Sequence, residues 1–364
     1  MLRAFLNRGA GIDLFAARWG DEQPVDLRDV QRYKLHGFTH PADATDMSSL
    51  RQANDALTGH LVRNGPYDLV YERYSLWSYG GMQFSRDSHV PGVLEVNAPL
   101  IEEQARYREM NAPDFAKQVA RQTFQNAEVI GAVSSQVANY VESFPDTGEC
   151  VHVIPNGINP SRFPSQNAAR DLQHFTVGFV GSLKPWHGLS TLVESFVNLH
   201  RTCPESRLLV VGDGPERENL LAQLASAGRS VLAASTLTGA VPSGEVPRYL
   251  NCMDVGVAPY PAMPGFYFSP MKIFEYMAAG LPVVASRIGD LPYVMRDGFD
   301  GTFYAPDDAA ELTDLLIRLR RDSTLRCRLG QNARVTVLRN HTWEKNAERV
   351  LSLAGVTGAS LQNC

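Results

Sequence analysis

Lys272 and Glu275 stand three residues apart in Ser-Pro-Met-Lys-Ile-Phe-Glu-Tyr-Met-Ala-Ala-Gly-Leu-Pro-Val-Val-Ala, residues 269–285, where the pattern predicts the first turns of a helix running into a buried strand. That spacing puts both side chains on one helix face. A helix N-terminus offers backbone N–H groups without intrahelical partners and a partial positive charge, and both suit phosphate oxygens. With Ser269 and Pro270 at the helix start, Lys272 would neutralise a phosphate and Glu275 would accept hydrogen bonds from ribose hydroxyls. The expected ligand is a nucleoside diphosphate. The plainer alternative makes Ser269 an N-cap, Pro270 the first helical residue, and Lys272 and Glu275 a solvated pair.

Three further segments precede this one: Val-Ile-Pro-Asn-Gly-Ile-Asn at 153–159, Gly-Phe-Val-Gly-Ser-Leu-Lys-Pro-Trp-His-Gly at 178–188, and Leu-Val-Val-Gly-Asp-Gly-Pro-Glu at 209–216. In this order the segments resemble the family 4 glycosyltransferases, retaining enzymes of the GT-B fold. The resemblance is firm from about residue 128 to 354 and weaker before that. It implies an α/β chain of two Rossmann-like, doubly wound domains facing a cleft. A nucleotide sugar would be held mainly by the second domain and a hydroxyl acceptor mainly by the first.

The elements that must position these residues alternate as such a fold requires. Apolar runs at Ile12–Phe15, Leu69–Tyr71, Val93–Val96 and Val129–Val133 read as strands of a first βα repeat, and those at Thr176–Val180, Leu208–Val211, Val255–Ala258 and Val283–Ala285 as strands of a second. Leu189, Leu192, Val193, Phe196 and Leu199 form the stripe of a helix lying on a sheet, and Leu312, Leu315, Leu316 and Leu319 repeat it. The expected division is an acceptor-side domain at 1–158, a polar linker at 159–172 and a nucleotide-sugar domain at 173–341, followed by a helix at 342–354 crossing back to the first domain and a disordered tail at 355–364. Open α/β sheets bind ligands beyond the carboxyl ends of their strands.

Composition narrows the partners. The 364 residues carry a net charge of −5, which argues against a generic nucleic-acid binder. No apolar run approaches the length of a membrane span and no secretory leader is apparent, so a cytoplasmic location is expected. Cys150, Cys203, Cys252, Cys327 and Cys364 are scattered without metal-ligand spacing and read as free thiols. Seven arginines between Arg318 and Arg339 make a solvated helical face, or a point of peripheral contact with an anionic membrane surface. The oligomeric state is not legible.

Individual roles follow from motif and resemblance together. Gly181, Ser182, Lys184 and His187 lie in a turn between strand and helix whose amides and cations can approach phosphates. The family usually has an arginine where Ser182 stands and a lysine where His187 stands, so the charge is expected from Lys184 and, if protonated, from His187. Gly212-Asp213-Gly214-Pro215-Glu216 reads mainly as a strand-to-helix turn. The resemblance gives the ribose role to Glu275. It gives the base to backbone near Gly239 and Val241, and leaves Tyr267 where the family often has a sugar-binding glutamate. The loop carrying Phe266 and Tyr267 would then present backbone amides to the sugar. In the first domain, Glu72, Arg73 and Glu95 are acceptor-side candidates. Asn97 occupies a position where family members commonly carry a histidine near the reacting carbon, but an amide cannot shuttle protons at neutral pH.

These expectations define a retaining transferase that moves a hexose from a nucleoside diphosphate to an acceptor hydroxyl, with no cofactor and no metal. Lys184, Lys272 and Asn97 are its catalytic candidates. Two alternatives stay open: a GT-B nucleotide-sugar epimerase using Glu72 and Glu95, and a non-catalytic nucleotide-sugar-binding protein. The segment Met1–Gly11 reads as the end of a helix that normally follows the first strand, so that strand and its glycine-rich loop are expected to be missing from the first domain.

Overall fold

The computed structural model describes residues 1–19, 27–28, 30–38, 47–164 and 174–356. Residues 165–172 of the expected linker, residue 173 at the start of the expected second domain, and the expected tail from 357 onward lie outside the described residues. The chain divides into two compact units. The first comprises Met1–Asn156, Tyr267–Ser269 and the chain from Trp343 onward, and the second comprises Gly157–Phe266 and Pro270–Thr342.

The described strands are β1 (Asp13–Ala16), β2 (Gln31–Lys34), β3 (Val70–Arg73), β4 (Gly92–Val96), β5 (Val129–Ala132), β6 (Val151–Val153), β7 (Phe175–Val180), β8 (Ser206–Val211), β9 (Ser235–Leu237), β10 (Val255–Ala258), β11 (Val283–Ser286) and β12 (Thr302–Tyr304). In the second unit six of them form one sheet in the order β12-β11-β10-β7-β8-β9, and every pairing in it is parallel. Helices cover such sheets on both faces, which explains why β10 and β11 are buried at every residue and read as unbroken apolar runs. The helices Leu189–Thr202 and Ala309–Arg321 place Leu192, Phe196, Leu199, Leu312, Leu316 and Leu319 in the same core as Phe175, Val177 and Phe179 of β7. From β7 the chain runs outward through β8 and β9, then returns to set β10 on the other side of β7. That reversal opens a crevice beyond the carboxyl ends of β7 and β10.

In the first unit β3-β4-β5-β6 make a parallel sheet, while β1 and β2 form a separate parallel pair. The side chain of Tyr67 ties the pair to the segment before β3 by donating to Asp13 Oδ2 at 2.7 Å. The helix Trp343–Leu353 belongs to this unit, where Ala347, Val350 and Leu351 pack with Ala4, Phe5, Val93, Val129 and Ile154. Strands β2, β6, β9 and β12 have no counterpart among the strands read from the sequence. Gln31-Arg32-Tyr33-Lys34 is polar and largely exposed, and Thr302-Phe303-Tyr304 is too short to show a period.

Candidate active site

Three loops at the carboxyl ends of β7, β8 and β9 are laced together through backbone atoms. Gly181 N–H donates to Val211 O at 3.0 Å, Leu183 N–H to Asp213 O at 2.9 Å, Glu216 N–H to Leu183 O at 3.0 Å and Gly212 N–H to Gly239 O at 3.1 Å. The approach is too close for side chains: a β-carbon at Gly212 would lie 2.0 Å from Gly181 O. Gly188 closes the first loop at φ +62°, and a β-carbon there would lie 1.6 Å from Pro259 O. Glycine is thus required at Gly188 on two counts, backbone conformation and space.

Beyond β10 the chain starts the helix Met271–Ala278, with Pro270 as its N-cap and no side chain capping it. The bond from Phe274 N–H to Pro270 O, 3.0 Å, is the first of the helix, so the N–H groups of residues 271–273 point past its end. Lys272 turns back from this end toward β7 and is only 8 % exposed. Its ammonium lies 4.2 Å from the centre of the Phe179 ring and 5.0 Å from that of Tyr260. A β-carbon at Gly181 would fall 3.2 Å from Lys272 Nζ, so the cation sits directly on the first glycine loop. Among the described residues no hydrogen-bond acceptor reaches the ammonium. Burial lowers the Lys272 pKa to about 7, against the partial support of Glu275.

His187 shares this corner, with its ring 5.9 Å from those of Phe179 and Tyr260. Burial and the neighbouring Lys272 charge pull its pKa down to about 4. The charge expected from a protonated His187 is therefore absent at neutral pH. Its Nδ1 faces Ser182 O, which can only accept, so Nδ1 carries the proton and Nε2 is left a bare acceptor. A histidine in this state cannot donate to a phosphate, although it can accept from a hydroxyl.

One turn after Lys272, Glu275 keeps only 18 % of its side chain exposed. Arg162 lies beside it, with Nη1 3.8 Å from Glu275 Oε1. Burial raises the Glu275 pKa, with Arg162 and then Lys272 opposing it. Arg162 falls in the span read from sequence as a linker, and no local motif marks it. Arg217 is equally silent in the sequence: its Nη1 is buried without a hydrogen-bond partner among the described residues, and a β-carbon at Gly239 would lie 3.8 Å from it.

The remaining donor-side candidates are distributed less compactly. Ser182 is exposed and Lys184 is half-buried, its ammonium leaning over the Trp186 ring at 5.8 Å. Gly239 adopts φ +75°, and Val241 is half-buried in the loop after it. Phe266 is a core residue packed against Tyr260 with ring centres 4.8 Å apart. Tyr267 and Ser269 group with the first unit. There Ser134 Oγ donates to Tyr267 O at 2.9 Å, Tyr267 Oη donates to Glu103 Oε2 at 3.2 Å, and Ser269 Oγ accepts from Asn156 N–H at 3.3 Å. Ser269 therefore does not cap the helix.

The acceptor-side candidates of the first unit separate into two kinds. Glu72 accepts from Ser78 Oγ at 2.6 Å and from Met82 N–H at 3.1 Å in the first turn of the helix Gly80–Ser88. Its Oε2 would sit 2.5 Å from a β-carbon on Gly81. Glu72 is thus engaged in capping the first turn of this helix. Glu95 is instead the hub of a polar cluster: Tyr71 Oη and Asn97 Nδ2 donate to its two oxygens, and Arg73 Nε lies 3.4 Å away. Asn97 Oδ1 in turn accepts from Asn156 Nδ2 at 3.1 Å. Asn97, Arg73 and Glu95 are therefore brought together. Among the described residues no group of three or more His, Cys, Asp or Glu side chains is arranged to hold a metal ion, and no helix is long and apolar enough to cross a membrane.

Comparison with known proteins matches each half to a family. Residues 1–162 match the family described as Glycosyltransferase Family 4, and residues 174–322 match the one described as Glycosyl transferases group 1. The D-inositol 3-phosphate glycosyltransferase of Corynebacterium jeikeium is 26% identical over 376 residues, 95% of this chain and 87% of that protein. The GDP-mannose-dependent alpha-(1-6)-phosphatidylinositol monomannoside mannosyltransferase of Mycolicibacterium smegmatis is 27% identical over 250 residues, 65% of each chain. Among solved structures, sucrose-phosphate synthase from Thermosynechococcus elongatus aligns over 96% of this chain and 90% of its own, with TM-score 0.71 and 20% identity. A glycosyltransferase from Rickettsia africae aligns over 100% and 95% with TM-score 0.74 and 13% identity, a likeness of fold alone. With a glycosyltransferase family on each half and relatives named glycosyltransferases along nearly its whole length, the chain belongs to the family 4 glycosyltransferases of GT-B fold.

Proposed function

We propose that the protein moves a hexose from a nucleoside diphosphate to an acceptor hydroxyl, with retention at the anomeric carbon and without a metal ion. The observation that carries the donor reading is the buried ammonium of Lys272 on the helix 271–278, which has no hydrogen-bond acceptor among the described residues. One turn on, Glu275 offers a partly exposed carboxylate beside Arg162. A buried cation is costly to leave unmet, and a ligand with phosphate on one side and ribose hydroxyls on the other would meet both side chains. Lys272 and the N–H groups of residues 271–273 then stabilise the charge that grows on the departing diphosphate. The bond between the anomeric carbon and the β-phosphate oxygen breaks, the acceptor oxygen bonds to the same face, and the acceptor proton passes to the leaving phosphate. His187 Nε2 accepts from a sugar hydroxyl. Lys184 and Ser182 flank the diphosphate, and backbone near Gly239 and Val241 meets the base.

Names among the relatives support this class of donor. One is GDP-mannose-dependent, and a structural neighbour from Anabaena is described in complex with UDP-glucose. Asn97, Arg73 and Glu95 form the acceptor side. An epimerase would need a pair of carboxylates there, and the burial of Glu72 in a helix cap leaves Glu95 alone. A lipid-linked acceptor would bring the chain to a membrane surface. Arg318, Arg321 and Arg339 are the exposed cations available for that contact, because Arg320, Arg326, Arg328 and Arg334 bond within the protein.

The test is incubation with UDP-glucose or GDP-mannose and a set of hydroxyl acceptors, with the anomeric configuration of the product read by NMR. Retained products without added metal are expected. Inverted products, or an epimerised nucleotide sugar, would count against the reading.

A further inference from the structure

Arg162 is fixed from both sides. Before it, Ile158 N–H donates to His341 O at 2.9 Å, and Asn159 Oδ1 accepts from Ser161 N–H at 3.0 Å. After it, Phe163 is 2 % exposed, and its carbonyl accepts from Arg334 Nη2 at 2.9 Å. From this anchored turn the guanidinium reaches two places at once. Nη2 donates to Ser243 O at 2.6 Å, in the loop that follows Gly239 and Val241, and Nη1 lies 3.8 Å from Glu275 Oε1. The second separation is too long for a hydrogen bond, so Arg162 supplies Glu275 with charge without consuming its acceptor sites.

We propose that Arg162 is a positioning residue for the nucleoside: it sets a fixed positive charge beside the Glu275 carboxylate, keeping it turned to the ribose hydroxyls, and ties the neighbouring base loop at Ser243 to the same point. The proposal rests on the donor reading of Glu275 given above. A carboxylate whose oxygens remain open beside a fixed cation is built to accept from a diol, and a guanidinium planted on a rigid turn keeps its place when the ligand leaves. Arginine suits the role better than lysine because its planar fork serves the Ser243 carbonyl and the carboxylate with separate nitrogens.

The experiment compares binding of UDP and GDP with their 2′-deoxy forms, and of pyrophosphate, by calorimetry on the full-length wild type, Glu275→Gln, Arg162→Ala and Arg162→Lys. The wild type should prefer a ribonucleotide over its 2′-deoxy form by about tenfold, the order expected for a charged hydrogen bond. Glu275→Gln and Arg162→Ala should both lose the preference while binding pyrophosphate as the wild type does, and Arg162→Lys should retain part of it. Loss of pyrophosphate binding in Arg162→Ala would mean a collapsed site and would overturn a positioning role. If Arg162→Ala keeps a preference that Glu275→Gln loses, the role of Arg162 is wrong and that of Glu275 stands. If Glu275→Gln keeps it, the donor reading itself falls, and the proposal with it.

Discussion

The ammonium of Lys272 rests 4.2 Å from the centre of the Phe179 ring and has no hydrogen-bond acceptor among the described residues. Ring faces attract a cation, but they do not replace the water lost on burial, and the Lys272 pKa falls to about 7. The unfolded chain holds its lysine proton to a much higher pH. Between pH 7 and the ordinary lysine range the unfolded state therefore binds more protons, and stability rises with pH across that window.

Lys272→Met should accordingly stabilise the free protein while destroying donor binding. A gain of about 1–4 kcal/mol at pH 6 is expected, as for a buried charge replaced by an apolar isostere, and it should shrink as pH rises toward 10. Thermal unfolding with and without nucleotide sugar checks both halves. A less stable variant that still responds to the donor would contradict the assignment.

Donor affinity should depend on pH with a defined sign. Below pH 7 Lys272 is already protonated and meets the phosphate at no further cost, whereas above pH 7 binding must take up a proton. Affinity for an intact nucleotide sugar should be level near pH 6 and fall above pH 7, approaching tenfold per unit. His187, with its pKa near 4, stays neutral throughout and adds no second step. Calorimetry between pH 6 and 9 decides the matter, and an affinity that climbs with pH would be incompatible.

Gly188→Ala and Gly265→Ala should differ, although both glycines have positive φ. The first meets Pro259 O at 1.6 Å and the second meets open space. Gly265→Ala should cost about 1–2 kcal/mol of backbone strain and leave donor affinity within twofold, while Gly188→Ala should cost about 3 kcal/mol or more and displace the phosphate loop. Equal effects on unfolding and on donor affinity would show that the loop tolerates a side chain.

Activity should survive a chelator if, as proposed, the Lys272 ammonium and the N–H groups of residues 271–273 meet the diphosphate. Turnover measured in EDTA and then with added manganese is the check. Loss in the first and recovery in the second would refute the charge arrangement.

Short-range chemistry was legible in the sequence because helical spacing alone puts Lys272 and Glu275 on one face, and the glycines of 181–188 and 212–214 announce close backbone approach. Relationships set by tertiary packing were not. Nothing near Arg162 in sequence points to Glu275, and nothing local says that Glu72 caps a helix while Glu95 gathers Tyr71, Asn97 and Arg73. The neutral state of His187 depends on burial among Phe179 and Tyr260 and on the charge of Lys272, none of which a linear reading can weigh. The β1–β2 pair escaped for another reason, since one of its strands is polar and mostly exposed.

The most direct test of the account is a calorimetric titration of the wild type and Lys272→Ala with a panel of UDP- and GDP-sugars at pH 6.5. At least one nucleotide sugar should bind the wild type, and its affinity for Lys272→Ala should be lower by about tenfold or more. If no nucleotide sugar binds the wild type, or if Lys272→Ala binds it equally well, the donor site is not on the helix 271–278.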